Sequence, residues 1–95
     1  MHTLYVAQVV DGAAVSTLDA DHSWHAVVAS LLAEVAFHCR DTGTPLPDWN
    51  RVRDEMRRHH HAGMDFSLYA GGLRFDLVEV EEAGDTGICE IPLAA

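Results

Sequence analysis

Two hairpin signals stand near opposite ends of this chain, and two helical patterns lie between them with no strand pattern separating them. Asp11-Gly12 joins the apolar run 4–10 to the segment 13–17, and Gly71-Gly72 leads into the strand pattern 73–82. Both dipeptides suit two-residue hairpin turns, which need positive φ. Hairpin strands pair antiparallel, whereas successive parallel strands need a crossover, usually a helix. We therefore predict an α+β fold of order β-β-α-α-β-β, an antiparallel sheet of four strands with both helices on one face.

The first helical pattern, over residues 24–39, repeats apolar side chains every three or four positions and is closed by Gly43. This spacing lines one side of an α-helix, so we expect this helix to be the buried one. Either Asp19 or Asp21 is the expected N-cap. Phe37 falls on the opposite flank and needs a second neighbour, for which the next segment is the candidate.

A second helix is predicted after Pro47-Asp48, because proline and an acidic residue favour a helix start. Its apolar side is thin, so it should lie across the rim of the sheet. Gly63 is the expected C-terminal glycine. The cationic run 57–61 falls in the last turn, beside the negative end of the helix dipole.

The last strand has apolar residues of both parities, since Leu73, Phe75 and Leu77 alternate but Val78 and Val80 do not continue the alternation. We predict a β-bulge at 77–78 that brings all five to the core face. The bulge would leave four polar residues in water: Arg74, Asp76, Glu79 and Glu81. The apolar tail 88–93 is a candidate fifth strand at the edge of the sheet.

Length and composition limit the classes of protein to consider. The 95 residues, 48% hydrophobic and 22% charged, predict one globular domain over residues 1–95. A core of this size gives marginal stability, so a homodimer is plausible. No apolar run approaches the ~18 residues of a membrane span and no signal peptide is evident, so we expect a cytoplasmic protein without a membrane partner. Cys39 and Cys89 are too few for a disulfide framework and are expected to be free thiols.

The charge balance argues against direct contact with nucleic acid. Fifteen acidic residues stand against six basic ones, all arginine, giving a formal charge of −9, whereas a polyphosphate needs a basic face. The lack of lysine excludes a P-loop and Schiff-base catalysis, and no nucleotide, hydrolase or zinc-protease motif occurs. We therefore expect no cofactor and no enzymatic activity.

Seven histidines are the one unusual count in the composition. The consecutive His59, His60 and His61 are candidate metal ligands, to be weighed against solvated histidines at a helix end. His38 lies on the apolar side of the first helix. It is either a core histidine with a hydrogen-bond partner or a base beside Cys39, although neighbours on a helix point about 100° apart.

The acidic residues are unevenly distributed, because the stretch 75–95 contains no basic residue. Such a surface can dock on a basic protein, steered by long-range attraction. The alternative is a solvated face whose charges protect a strand edge. The candidate partner-binding residues are Asp76, Glu79, Glu81, Glu82, Asp85 and Glu90.

The ordering of elements resembles a broad group of small proteins from phages, plasmids and other mobile elements. The likeness rests on the opening hairpin 4–17, the Trp24 helix after Asp19-Ala20-Asp21, the Pro-Asp-Trp entry at 47–49 and the closing strand that ends at 78–82. Some proteins of this group are anti-CRISPRs or other inhibitors of bacterial defence. The resemblance implies no particular site residue.

These observations favour a non-enzymatic acidic inhibitor that binds a basic protein or nucleoprotein complex, such as a CRISPR effector. An immunity protein or antitoxin that neutralises a basic toxin is the nearest alternative. Two further alternatives remain: a metal-dependent enzyme or sensor built on the histidines, and a structural subunit that dimerises through an edge strand or Phe37.

Overall fold

The computed structural model describes residues 2–82, which form two helices and a sheet of four antiparallel strands. The strand order in the sheet is β2-β1-β4-β3. The predicted α+β class and element order are confirmed, whereas the candidate fifth strand at 88–93 lies outside the described residues. The elements are β1 His2–Asp11, β2 Ala14–Asp21, α1 Trp24–Thr42, α2 Trp49–His61, β3 Phe66–Ala70 and β4 Leu73–Glu82.

Both predicted hairpins form. Asp11 pairs with Ala14, so the first two-residue loop is Gly12-Ala13, one position later than the Asp-Gly signal suggested. In the second hairpin Ala70 pairs with Leu73. Its loop residues Gly71 and Gly72 have φ of 57° and 84°, the positive values that a type I′ turn requires at both positions.

The predicted β-bulge at Leu77 and Val78 is wrong. The pairing of β4 with β1 runs without a break through both residues, and the only register shift in the described sheet lies between Ala7 and Gln8, where β1 pairs with β2. Because regular strands alternate their side chains between the two faces, Val78 and Val80 lie opposite to Phe75 and Leu77. The apolar residues of β4 therefore lie on both faces of the sheet, Phe75 and Leu77 on one and Val78 and Val80 on the other.

Helix α1 is capped by Ser23, whose hydroxyl accepts a hydrogen bond from the backbone N–H of Ala26 at 3.3 Å. Asp21, one of the two expected caps, instead accepts from the backbone N–H of Ser23. The Asp19 carboxylate accepts a hydrogen bond from the Ser30 hydroxyl. Gly43 ends the helix in the left-handed conformation, as predicted. The buried side of α1 consists of Val27, Leu31, Leu32, Val35 and Cys39.

Helix α2 begins at the Asp48 cap and buries only Val52 and Met56, next to β3. After Gly63, the backbone N–H of Met64 donates to the carbonyl of His59 at 2.9 Å, the closing bond of a Schellman motif. The predicted end of α2 is confirmed. Its buried side is the smaller one, as its thin apolar pattern indicated.

The core lies between the helices and one face of the sheet, where Ala7, Phe75 and Leu77 meet the buried side of α1. Phe37 is not part of this core. Its side chain is 62% exposed, so the expected second neighbour does not cover it. Since α2 passes near β3, no described element reaches the flank of α1 that carries Phe37.

Candidate protein-binding face

The two faces of the sheet have different surroundings. The face toward the helices carries Ala7, Phe75 and Leu77, with Tyr5 and Val9 packed beside them. The opposite face, which we call the uncovered face, has no helix of residues 2–82 packed on it. Strand alternation and register place these residues on it: Leu4, Val6, Gln8, Val10, Val15, Thr17, Ala20, Ser67, Tyr69, Arg74, Asp76, Val78, Val80 and Glu82.

Apolar side chains occupy both ends of the uncovered face. At one end Leu4 lies opposite Val80, and Val6 opposite Val78. At the other end Val10 lies opposite Val15 across the first hairpin. Directly opposed side chains on one face are close enough to pack. The pairs therefore form two apolar patches on the surface of the sheet.

A polar row crosses the sheet between the two patches. The register aligns Thr17, Gln8, Asp76 and Ser67, one residue from each strand. The Asp76 carboxylate accepts hydrogen bonds from Gln8 Nε2 at 3.0 Å and from Ser67 Oγ at 2.8 Å. Arg74 Nε donates to both carboxylate oxygens, at 3.0 and 3.2 Å. The negative charge of Asp76 is therefore compensated within the sheet.

Burial alone would raise the pKa of Asp76, but hydrogen bonds from Gln8, Ser67 and Arg74, together with the Arg74 charge, lower that pKa below its ordinary value. Only 7% of the Asp76 side chain is exposed. The expectation that Asp76 stands in water is wrong, because neighbouring side chains enclose it. Its contact with a partner stays a prediction. Asp76 organises the centre of the uncovered face.

The area of the uncovered face approaches that of a protein interface. Strands of 10, 8, 5 and 10 residues, with ~3.4 Å per residue and ~4.8 Å between strands, give a face of about 540 Å². Apolar patches on monomeric proteins are usually a few hundred Å², and a specific interface buries roughly 600 to 1,000 Å² on each side. The area of this face therefore lies just below the interface range.

The remaining candidate acids of β4 do not share one surface. Glu79 points toward the helices, where its Oε2 is 3.1 Å from His60 Nδ1 and its side chain is 16% exposed. Glu81 accepts from the Thr3 hydroxyl and is exposed. Glu82 lies on the uncovered face, 2.7 Å from His22 Nε2. Asp85 and Glu90 lie outside the described residues.

Strand β3 pairs with β4 only from Leu73 to Leu77, so residues 78–82 have a described strand partner on the β1 side alone. The alternative that the charges of this segment protect a strand edge therefore stays a prediction. Of the four acids of β4, only Glu81 and Glu82 are both accessible and adjacent in sequence, and their side chains lie on opposite faces of the sheet. Burial raises the pKa of Tyr5, and the charges of Glu79 and Glu81 raise it further. Glu79 and Glu81 therefore act on Tyr5 within the fold.

The three consecutive histidines have separate surroundings. His59 Nδ1 donates to the carbonyl of Glu55 at 2.7 Å. His60 bonds to Glu79 and stacks on Trp24 with ring centroids 4.5 Å apart. His61 is exposed. Within residues 2–82, no three histidine, cysteine or acidic side chains lie close enough to hold a metal ion.

His38 is half-buried and its Nε2 lies 3.2 Å from the carbonyl oxygen of Gly71. The predicted hydrogen-bond partner is confirmed, whereas His38 is not one of the buried core residues. Cys39 is a free thiol buried against the core. Cys89 lies outside the described residues.

Comparison with known proteins returned no match to any family model, curated protein or solved structure. None of the helices in residues 2–82 has the length and apolar character to cross a membrane. Val78 was assigned to the core face from the sequence, and Leu4 and Val6 were given no surface role. The signal that identifies Val78 as a surface residue is the change of parity along β4, which the predicted bulge would have removed.

Proposed function

We propose that this chain is a non-enzymatic protein-binding domain that inhibits a larger cytoplasmic protein or nucleoprotein complex by covering part of its surface. The observation that carries the proposal is the uncovered face, with its two apolar patches and its internally compensated Asp76. No second layer of residues 2–82 protects these apolar side chains from water. A partner that buries them gains the hydrophobic free energy that the isolated domain leaves unused.

The chemistry of the face defines the matching surface on the partner. That surface has two apolar regions on either side of a polar one, because the pair Val6 and Val78 belongs to one patch and the row through Asp76 separates it from the other. It is basic at its margin, because Glu82 stands at one end of the face on a chain of net charge −9. The same charge opposes a second copy of this chain as the occupant. A basic protein or nucleoprotein complex therefore fits better than self-association.

An anti-CRISPR or other anti-defence inhibitor and an immunity protein or antitoxin would both use such a face. Both act by occupying a basic target, and they differ in the target alone. The uncovered face favours either of them over a structural homodimer, because the net negative charge of the chain opposes its association with a second copy.

The test compares capture of partners from host lysate by the wild-type chain and by the double variant Val6→Thr with Val78→Thr. Threonine resembles valine in shape and favours strands, and both positions are only partly buried, so the fold should survive while the apolar contact is lost. The matched control is Phe37→Ser, which removes an exposed apolar side chain on the helical side. Circular dichroism verifies that all three proteins are folded.

We expect one basic complex to be retained by the wild type and by Phe37→Ser. Its affinity for the double variant, measured by calorimetry with the purified complex, should fall about tenfold or more, since burying two hydroxyls replaces the burial of two methyl groups. Undiminished binding of the double variant would place the interface elsewhere. A stable dimer of the free chain by light scattering at ~100 μM would show that the face is used for self-association instead.

A further inference from the structure

A groove lies between the start of α1 and the middle of α2, on the helical side of the molecule. Its volume is about 150 Å³. Met56 is buried and Trp24 and Val28 are half-buried, so these three form the base. The exposed rim consists of His25, Arg53 and Arg57. An apolar base with a wholly basic rim is unusual on a chain whose net charge is −9.

Of the two arginines of the rim, Arg53 is not explained by the stability of α2. The basic residues of the last helical turn, 58–61, complement the helix dipole, but Arg53 precedes them by more than a turn. Arg53 and Arg57 are one turn apart, and like charges at that spacing weaken a helix slightly. Arg57 has an ion pair with Asp54. No ion pair of Arg53 is found within residues 2–82.

The base of the groove is held in place before any ligand binds. The His60 ring stacks on one face of the Trp24 indole with an interplanar angle of 13°. His60 is in turn bonded to Glu79 in the central strand β4. This arrangement fixes the indole and leaves its remaining surface toward the groove. A fixed aromatic surface loses little conformational entropy on binding.

The size of the groove limits what it can hold. A cavity of about 150 Å³ accommodates a benzene ring, so the groove takes one apolar side chain and not an extended ligand. Guanidinium groups pair with carboxylates in a bidentate manner. A carboxylate within a residue or two of the inserted side chain would reach Arg53 or Arg57.

We propose that this groove binds an acidic peptide segment, inserting one aromatic or large aliphatic side chain while neighbouring carboxylates pair with Arg53 and Arg57. The proposal does not depend on the function of the uncovered face, which lies on the other side of the sheet. A nucleic acid is a poorer fit, because its phosphate backbone carries no apolar side chain for the base of the groove and its charges extend beyond these two arginines.

The test is fluorescence anisotropy with the full-length chain and short labelled peptides. The probe is Glu-Glu-Phe-Glu-Glu with blocked ends. The comparison peptides replace Phe by Ala or all Glu by Lys, and a short oligothymidylate serves as the polyanion. We expect binding of the Phe peptide alone, with weaker binding as salt rises from about 50 to 300 mM.

The protein variants locate the site. Arg53→Gln combined with Arg57→Gln should weaken binding about tenfold or more, since each removes a charge-assisted bond. Arg40→Gln, an equal change of charge per site at the end of α1, should alter it less than about twofold. Val28→Phe, which fills the groove and leaves the arginines, should also weaken binding.

Several results would overturn the proposal. Absence of binding at about 1 mM peptide would do so, since that is a negligible affinity. Equal binding of the Ala peptide or of oligothymidylate would show charge attraction without a groove. Equal losses of peptide affinity from Arg40→Gln and from the double variant of Arg53 and Arg57 would also show charge attraction without a groove. None of these results affects the test of the uncovered face, which uses other residues.

Discussion

Replacing Asp76 by asparagine tests the idea that a buried, compensated carboxylate organises the uncovered face. Asparagine keeps the shape of the side chain but removes the charge and one acceptor oxygen. Gln8, Ser67 and Arg74 all donate to this carboxylate. Rotation of the Gln8 amide lets its oxygen accept a hydrogen bond from the amide group of the new asparagine. The change in stability therefore reports mainly the loss of the charge and less the loss of a hydrogen bond.

The size of the effect follows from these contacts. A hydrogen bond to a charged acceptor contributes about 1 kcal/mol more than one to a neutral acceptor. Applied to the bonds from Gln8 and Ser67, this gives a loss of about 2 kcal/mol in the free energy of unfolding. We assign nothing to Arg74, whose side chain is 42% exposed and screened by water. For a domain of this size the melting temperature should fall by roughly 10 °C.

The dependence on pH provides a second readout. Because the pKa of Asp76 is lowered by folding, its charge stabilises the fold above the unfolded-state pKa of about 3.9. That stabilisation is lost as the pH falls through the lower folded-state pKa. The difference between wild type and Asp76→Asn should therefore be constant from about pH 5 to pH 7 and shrink below about pH 4.

The assay is urea unfolding followed by circular dichroism at a series of pH values. Asp54→Asn is the control, because it removes an exposed carboxylate on α2 and should cost less than about 0.5 kcal/mol. A loss for Asp76→Asn no larger than that of the control would refute the reasoning. So would a difference that stays constant into the acid range in which the wild type begins to unfold.

Three further pairs of substitutions test other contacts by thermal or urea unfolding. Gly71→Ala places a Cβ 2.7 Å from His38 Nε2 at φ +57° and should lower the free energy of unfolding by about 1 to 3 kcal/mol. Gly72→Ala, with open space around it, should lower it less, and equal losses would argue against the His38 contact. His60→Ala removes the stack on Trp24 and the bond to Glu79 and should lower the free energy of unfolding by about 1 to 3 kcal/mol. His61 is exposed, so His61→Ala should be nearly neutral. A larger loss for His61→Ala than for His60→Ala would contradict the packing. Leu31→Ala should cost about 2 to 5 kcal/mol and Phe37→Ala less than about 1 kcal/mol, since one is buried and the other exposed; similar values would show that Phe37 is covered in solution.

The sequence predicted the fold well where a local signal has one structural meaning. Gly71-Gly72 requires a turn with positive φ, and the spacing of Val27, Leu31 and Val35 requires a helix with one apolar side. These signals determine the order of the elements and their antiparallel pairing. They act over a few residues, so they can be read without knowledge of the distant parts of the chain.

The prediction of the site was less successful because facing and burial depend on distant neighbours. Val78 and Val80 were assigned to the core on the assumption that a strand has only one apolar face. Asp76 was assigned to water because nothing nearby in the sequence shows that Gln8, 68 positions earlier, meets it in the adjacent strand. The pairing of β1 with β4 provides both facts, and it joins opposite ends of the described chain.

The negative charge and the uncovered face would play different parts in binding. Glu79 is engaged with His60, and Asp76 with three donors, so both carboxylates already have partners within the fold. The remaining exposed acids act at a distance, where they steer encounter with a basic surface and lose influence as salt rises. The apolar patches act only on contact and set the lifetime of the complex. Added salt should therefore slow association, whereas Val6→Thr with Val78→Thr should mainly speed dissociation, and the opposite assignment would mean that the acids form the contact.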